Sequence, residues 1–225
     1  MEVAARYRAA GDQNEVGGDF YDVFLSEDGV WTALIGDVTG KGPEAAALTS
    51  LARHMLRTAA LGDAGPAGNL HLLNRAMLAD AESARFCTVV YARVCPSPGT
   101  ALVTLATGGP PPPLVLRADG TVERVPVSGT LVGGGAYPDF AEIDVRLHAG
   151  DLRLLYTDGV TELRTSDPEY GERHLLATLR GLGGRTAEAV VEAVERAAVG
   201  AQEGPPRDDI ALLALRVEPT GGATT

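Results

Sequence analysis

Cysteine, positive charge and long apolar runs are all scarce in this 225-residue chain. Its two cysteines, Cys87 and Cys95, fall in one strand-like run, "FCTVVYARVC". Along an extended strand they would lie more than about 20 Å apart, too far to bridge. A reducing compartment is the simple reading. The four histidines are scattered, with no H-x-x-x-H pair, which argues against structural zinc. Lysine and arginine number 19 against 30 aspartates and glutamates, for a formal charge of -11. There is no basic stripe, so nucleic acid is not an expected partner. No run approaches the roughly 20 apolar residues of a membrane-spanning helix. The N-terminal "MEVAARYRAAG" is too polar for a signal peptide. These absences predict a cytoplasmic protein that does not engage a membrane.

Hydrophobic residues make up 45% and charged residues 22%, enough apolar side chain for a real core. Segments 2–9, 20–25 and 30–36 read as strands. Pro43 opens a helix over "EAAALTSLARHMLRTAAL", where apolar residues recur at helical spacing. "GDAGPAGN" reads as a loop and "LHLLNRAMLADAESA" as a second helix. Strands then crowd together: "FCTVVYARV", "ALVTLAT", "PLVLRA", "TVERVPV", "FAEIDVRL" and "DLRLLYT". Asp119-Gly120 between two of them signals a hairpin. Helices return over "ERHLLATLRGL" and "TAEAVVEAVERAAVGA", the latter with Thr186 as N-cap. "DDIALLALRV" is a last buried strand. The order lacks regular βαβ alternation. It predicts a mainly antiparallel α+β domain with helices packed outside the sheets. No repeat or composition shift marks a linker. One domain is expected over residues 1–218, with a disordered tail over 219–225.

Several catalytic patterns fail on inspection. "GDVTGKG" suggests a nucleotide P-loop, but Gly36 and Gly40 are one residue too close, and Gly42 replaces the metal-binding Ser or Thr. Cys87 and Arg93 have the outline of a cysteine phosphatase. The intervening "TVVYA" prefers a strand to the glycine-containing loop that chemistry needs. No G-x-S-x-G elbow is present. A haloacid-dehalogenase-type site would need an aspartate where Thr39 stands, and parallel units besides.

Aspartates remain. Asp37 ends "WTALIGD", Asp158 ends "LRLLYTD", Asp208 and Asp209 open "DDIALLALRV", and Asp19 and Asp22 lie in "VGGDFYD". A single aspartate at a strand end is ordinarily a turn former or cap. Here glycines flank Asp19, Asp37 and Asp158, allowing close approach of backbone or ligand. Carboxylates gathered at adjacent strand ends repel, and must protonate or hold cations. An all-oxygen site suits Mg²⁺ or Mn²⁺.

"VGGDFYD", "GDVTGKGPEAA", "LYTDGVTE" and "DDIALLAL", in that order, resemble the SpoIIE/RsbU-like branch of the PPM (type 2C) metal-dependent protein serine/threonine phosphatases. The resemblance runs from about Val3 to Val217. It implies a four-layer α-β-β-α sandwich with two Mg²⁺ or Mn²⁺ ions in a cleft at one edge of the sheets. By motif, Asp19 would ligate one ion, and Asp37 would bridge both and activate water. Val38 would lend its backbone carbonyl, and Asp158 and Asp208 would hold the other ion. Asp22, Gly159 and Asp209 are weaker or outer candidates, and Lys41 is a candidate substrate contact. Gly109 stands where the family commonly has a histidine. Arg6 and Arg8 do not match the phosphate-gripping arginine of animal members.

The implied reaction is attack of activated water on phosphoserine or phosphothreonine, with no covalent phosphoenzyme. The implied substrate is a phosphorylated STAS-domain anti-sigma-factor antagonist, in partner-switching control of transcription or stress response. An attached or separate sensor domain and a homodimer are among the partners the resemblance allows. The competing reading is a catalytically inactive domain of the same fold that serves as a protein-binding module.

Overall fold

The computed structural model describes residues 1–10, 17–26, 29–79, 85–109, 111–163, 167, 169–202, 204, 206 and 208–219. The strands are β1 (Glu2–Arg8), β2 (Asp19–Leu25), β3 (Trp31–Val38), β4 (Cys87–Ser97), β5 (Thr100–Gly108), β6 (Leu114–Leu116), β7 (Val122–Arg124), β8 (Glu142–His148), β9 (Leu152–Tyr156) and β10 (Ile210–Arg216). The helices are α1 (Pro43–Ala59), α2 (Pro66–Ala79), α3 (Tyr170–Arg180) and α4 (Ala187–Gly200). One sheet has the order β1-β10-β9-β6-β7 and the other β2-β3-β4-β5-β8. Every pairing among these strands is antiparallel.

Side-chain alternation builds the layers. On β10, Ile210, Leu212 and Ala214 pack under α4, while Ala211, Leu213 and Leu215 face the other sheet. On β4, Cys87, Val89 and Tyr91 face α1 and α2, while Val90, Ala92 and Val94 face between the sheets. Both faces of these central strands are apolar because both are covered. Strand β8 is the edge of its sheet, with Glu142 accepting from the Ala67 N–H at the start of α2 at 2.8 Å. Its Ile143, Val145 and Leu147 point inward, and Glu142, Asp144, Arg146 and His148 alternate with them. The result is the expected α-β-β-α sandwich, each buried Leu, Ile or Val contributing roughly 1.5–3 kcal/mol.

Helix α1 begins at Pro43 and buries Ala45, Leu48, Ala52 and Leu56, one stripe at helical spacing. Thr186 caps α4, its hydroxyl accepting from the Ala189 N–H at 3.2 Å. Helix α2 differs from expectation. It starts at Pro66, so "PAGN", read as loop, forms its first turn. Proline is pre-set for a first helical turn, and Asn69 is buried beneath it. The short pair β6–β7 is smaller than its two sequence runs suggested. Pro113 and Pro126 lie just outside it and have no N–H for a ladder. The Asp119-Gly120 hairpin forms as expected, with Gly120 at φ 91° and the Thr121 N–H bonded to Asp119. Both cysteines lie on β4 and are free, Cys87 buried and Cys95 exposed. Residues 80–84 of the expected second helix, and 220–225 of the expected tail, lie outside the described residues. No helix among the described residues is long and apolar enough to cross a membrane.

Candidate metal centre

The site lies where strand ends from both sheets meet. Strand β2 opens at Asp19, and the register sets it directly opposite Asp37, near the end of β3. In the other sheet β9 and β10 are neighbours, with Tyr156 opposite Leu212. Thr157 and Asp158 follow β9, and Asp208 and Asp209 precede β10. Asp158 opens a single 3₁₀ turn over Asp158–Val160.

One hydroxyl joins the two halves. Thr157 Oγ1 donates to Asp19 Oδ2 at 2.7 Å and accepts from the Ala211 N–H at 3.0 Å. Asp209, almost fully buried, is held by other groups. It accepts from the Ala10 N–H at 2.7 Å, and from the Tyr7 hydroxyl at 3.1 Å. Asp208 accepts from the Asp209 N–H at 3.0 Å.

Two glycines make the approach possible. A Cβ on Gly18 would lie 2.1 Å from the Val38 carbonyl oxygen and 2.3 Å from Asp37 Oδ1. A Cβ on Gly17 would lie 1.3 Å from Asp209 Oδ2. Any side chain at either position would push the Gly17–Gly18 backbone off the carboxylates. Gly159 has a similar role, since its Cβ would meet the Asp209 carbonyl oxygen at 1.8 Å.

The electrostatics are those of crowded acids. Burial pushes Asp37 up to about 7, aided by the charges of Asp158, Asp208 and Asp209. Burial also raises Asp19 well above the carboxylate range. The Thr157 bond opposes that rise, and the charges of Asp37, Asp209 and Asp158 add to it. Asp158 is raised by burial, then by Glu162 and Asp208. The Tyr7 phenol is raised by burial and by Asp209.

Among the described residues, no three His, Cys, Asp or Glu side chains close around a single point. The charges of Asp158, Asp208 and Asp209 nevertheless reach Asp37, and those of Asp37, Asp209 and Asp158 reach Asp19. The donor set is all oxygen, four carboxylates with the Val38 carbonyl beside them. That chemistry fits hard divalent cations, which would relieve the repulsion that raises these acids.

The remaining sequence candidates are held in other ways. Asp22 accepts through both carboxylate oxygens from Arg57 Nη1, at 2.9 and 2.8 Å, so its charge is committed to α1. Arg6 pairs with Glu188, and Arg8 with Glu195 at 2.8 Å, which ties β1 to α4. Lys41, the chain's only lysine, is exposed between Gly40 and Gly42. Gly109 turns the chain after β5 at φ 90°, and its carbonyl accepts from Thr107 Oγ1 at 2.6 Å. Two residues of the site were not singled out in the sequence. Thr157 had a signal, its place just before Asp158; Tyr7, remote in sequence, had none.

The sequence pattern of the family described as Stage II sporulation protein E (SpoIIE) matches residues 27–218. The phosphoserine phosphatase RsbU of Bacillus subtilis is 26% identical over 203 residues, covering 90% of this chain and 60% of RsbU. Protein IcfG of Synechocystis is 27% identical over 230 residues, covering 89% of this chain and 36% of IcfG. The chain thus spans less than two thirds of either relative. Among solved structures, the RsbU and RsbW domains of a Mycobacterium tuberculosis protein superpose with TM-score 0.82 at 26% identity, over 98% of this chain and 61% of that one. The SiaA-PP2C domain of Pseudomonas aeruginosa gives 0.77 at 25%, over 95% and 86%.

Proposed function

Because this chain belongs to the SpoIIE family, in the RsbU-like branch of the PPM phosphatases, we propose that it is a metal-dependent protein serine/threonine phosphatase. The observation that carries the reading is the gathering of Asp19, Asp37, Asp158 and Asp208 from four strand ends of two sheets. Burial first, and then the neighbouring carboxylates, raise the proton affinities of Asp19, Asp37 and Asp158. With the Val38 carbonyl, they would hold two Mg²⁺ or Mn²⁺ ions. Such ions, when bound, lower the pKa of water and polarise phosphoryl oxygens.

The chain's own residues set the stage for that chemistry. Thr157 fixes the orientation of Asp19 through its 2.7 Å bond. Asp209 anchors the end of β1 through Tyr7 and Ala10, and so closes one wall of the site. Gly18 brings the Asp37 carboxylate and Val38 carbonyl onto one side of the loop. No cysteine or serine nucleophile is required; Cys87 is buried, and burial pushes its thiol up to about 12.

The similarity to RsbU, described as a phosphoserine phosphatase, supports phosphoserine as the substrate group. An RsbW domain accompanies the RsbU domain in the Mycobacterium neighbour. That supports a partner-switching role in the cytoplasm on a phosphorylated STAS-domain anti-sigma-factor antagonist, under an attached or separate sensor domain. The test is hydrolysis of a phosphoserine peptide with Mn²⁺, then with chelator, by wild type and Asp37→Asn. Turnover that needs metal and collapses in the variant is expected. Turnover unchanged in Asp37→Asn would sink the assignment, and none in any metal would favour a binding module.

A further inference from the structure

Helix α1 carries a polar stripe beside its buried one. Thr49, Arg53 and Arg57 recur at every fourth residue and share one face. Both ends of the stripe are anchored to the β2 segment. Thr49 Oγ1 donates to the Gly18 carbonyl at 3.1 Å. Arg57 donates to Asp22 and lies over the Phe24 ring, 4.4 Å from its centroid. The middle residue is uncommitted. Arg53 is exposed, with no ion pair or hydrogen bond among the described residues.

Arg53 lines a cleft of about 680 Å³ with Tyr7, Gly17, Asp19, Tyr21 and Leu213. The cleft lies between β1, the edge of one sheet, and β2, the edge of the other. Of the candidate carboxylates Asp19 lines it, beside the ion-paired Asp22, so the cleft borders the centre at Asp19. Helical side chains lean toward the helix N-terminus, which tilts Arg53 toward Thr49 and the Gly18–Asp19 end. One turn of helix separates Arg53 from Thr49. Four residues advance about 6 Å along the axis, the reach of about two residues of extended peptide.

We propose that Arg53 is a specificity-determining residue that pairs with an acidic side chain about two residues from the phosphorylated serine or threonine of a bound polypeptide. The proposal rests on the phosphatase reading above and deepens it. An arginine fork meets a carboxylate through two parallel bonds, which gives direction as well as attraction. In a chain of net charge -11, an unpaired guanidinium bordering the candidate centre is the feature that would draw an acidic segment in. The accessible apolar surface of Val3, Tyr7 and Tyr21 along the cleft suits the aliphatic part of an extended strand.

The experiment uses fluorescent phosphoserine peptides with Asp, Asn or Lys two residues from the phosphoserine on either side. Binding is followed by anisotropy and turnover by phosphate release with Mn²⁺, for wild type, Arg53→Gln and Arg53→Glu. Wild type is expected to bind one of the Asp peptides about 2–5-fold more tightly than its Asn counterpart. Arg53→Gln should bind the two alike, and Arg53→Glu should prefer Lys. Arg53 is solvent-exposed, and circular dichroism checks that both variants fold. Equal binding of Asp and Asn peptides by wild type, a preference that survives Arg53→Gln, or no peptide binding at all overturns the assignment. Metal-dependent turnover without the preference removes Arg53 and leaves the phosphatase reading standing. The preference in binding without turnover in any metal keeps Arg53 and removes the phosphatase reading.

Discussion

Asp19 and Asp37 stand directly opposite each other across the β2–β3 ladder. Like charges so placed oppose folding, because side chains of facing residues are about 5 Å apart at Cβ. The fold accepts that cost where strand ends from both sheets converge.

Replacing Asp37 by Asn removes one member of the facing pair. In chelator at pH 8, Asp37→Asn should melt about 2–4 °C higher than wild type. With Mn²⁺ added the order should reverse, because wild type gains stability from binding and the variant gains less. Thermal melts of both proteins with and without metal decide the matter. Equal metal-induced shifts would remove Asp37 from the binding set.

Acid should stabilise the metal-free protein. Asp37 is raised to about 7, and Asp19 and Asp158 are raised as well. Between the ordinary carboxylate pKa of about 4 and the raised values, the native state holds more protons than the unfolded chain. Stability must then fall as pH rises through that window. Urea midpoints in chelator should drop steadily from pH 5 to pH 8, and Mg²⁺ should flatten the drop. A midpoint that climbs over the same range would contradict the crowding of these acids.

Arg153 is another buried charge. It lies on β9 opposite Val115 and Leu215, and its three guanidinium nitrogens are buried without a partner. Burial and the nearby Arg117 charge push the guanidinium below its ordinary range. Arg117 itself takes Glu123 and Asp151, at 2.7 and 2.8 Å. Exchange for an apolar side chain of similar length removes a desolvation penalty. Arg153→Met should therefore raise stability at pH 7 by about 1–4 kcal/mol. Denaturant unfolding with an unchanged slope is the measurement, and a loss of stability would refute the prediction.

Thr157→Val keeps the shape and deletes the hydroxyl that joins the sheets. The Ala211 N–H and Asp19 Oδ2 both lose a buried partner. A cost of about 1–3 kcal/mol is expected, together with weaker Mn²⁺ binding by calorimetry. Thr157→Ser, which retains the hydroxyl, should recover most of the metal affinity. Failure of the serine variant to do better than valine would show that packing, not the hydrogen bond, matters there.

Much of this was legible along the chain. Pro43 marked the start of α1, Thr186 capped α4, and Asp119-Gly120 turned the β6–β7 hairpin, since each acts through its own backbone. The first turn of α2 was missed because "PAGN" carries loop-forming residues, and burial of Leu70, Leu73 and Met77 in the core prevailed over local preference. Asp22 shared a motif with Asp19, yet Arg57, on a helix far along the chain, claimed its carboxylate.

The sequence by itself determined which carboxylates stand at strand ends, which glycines flank Asp19, Asp37 and Asp158, and the apolar runs that make antiparallel strands with helices packed outside them. These are local properties, set by side-chain period and backbone freedom. Only the tertiary structure decided the rest: that Asp19 faces Asp37, that Thr157 reaches Asp19 from the other sheet, that Tyr7 holds Asp209, and that Arg53 is free at the cleft. Those relationships join residues far apart in the chain, through contacts that exist only once the two sheets have packed.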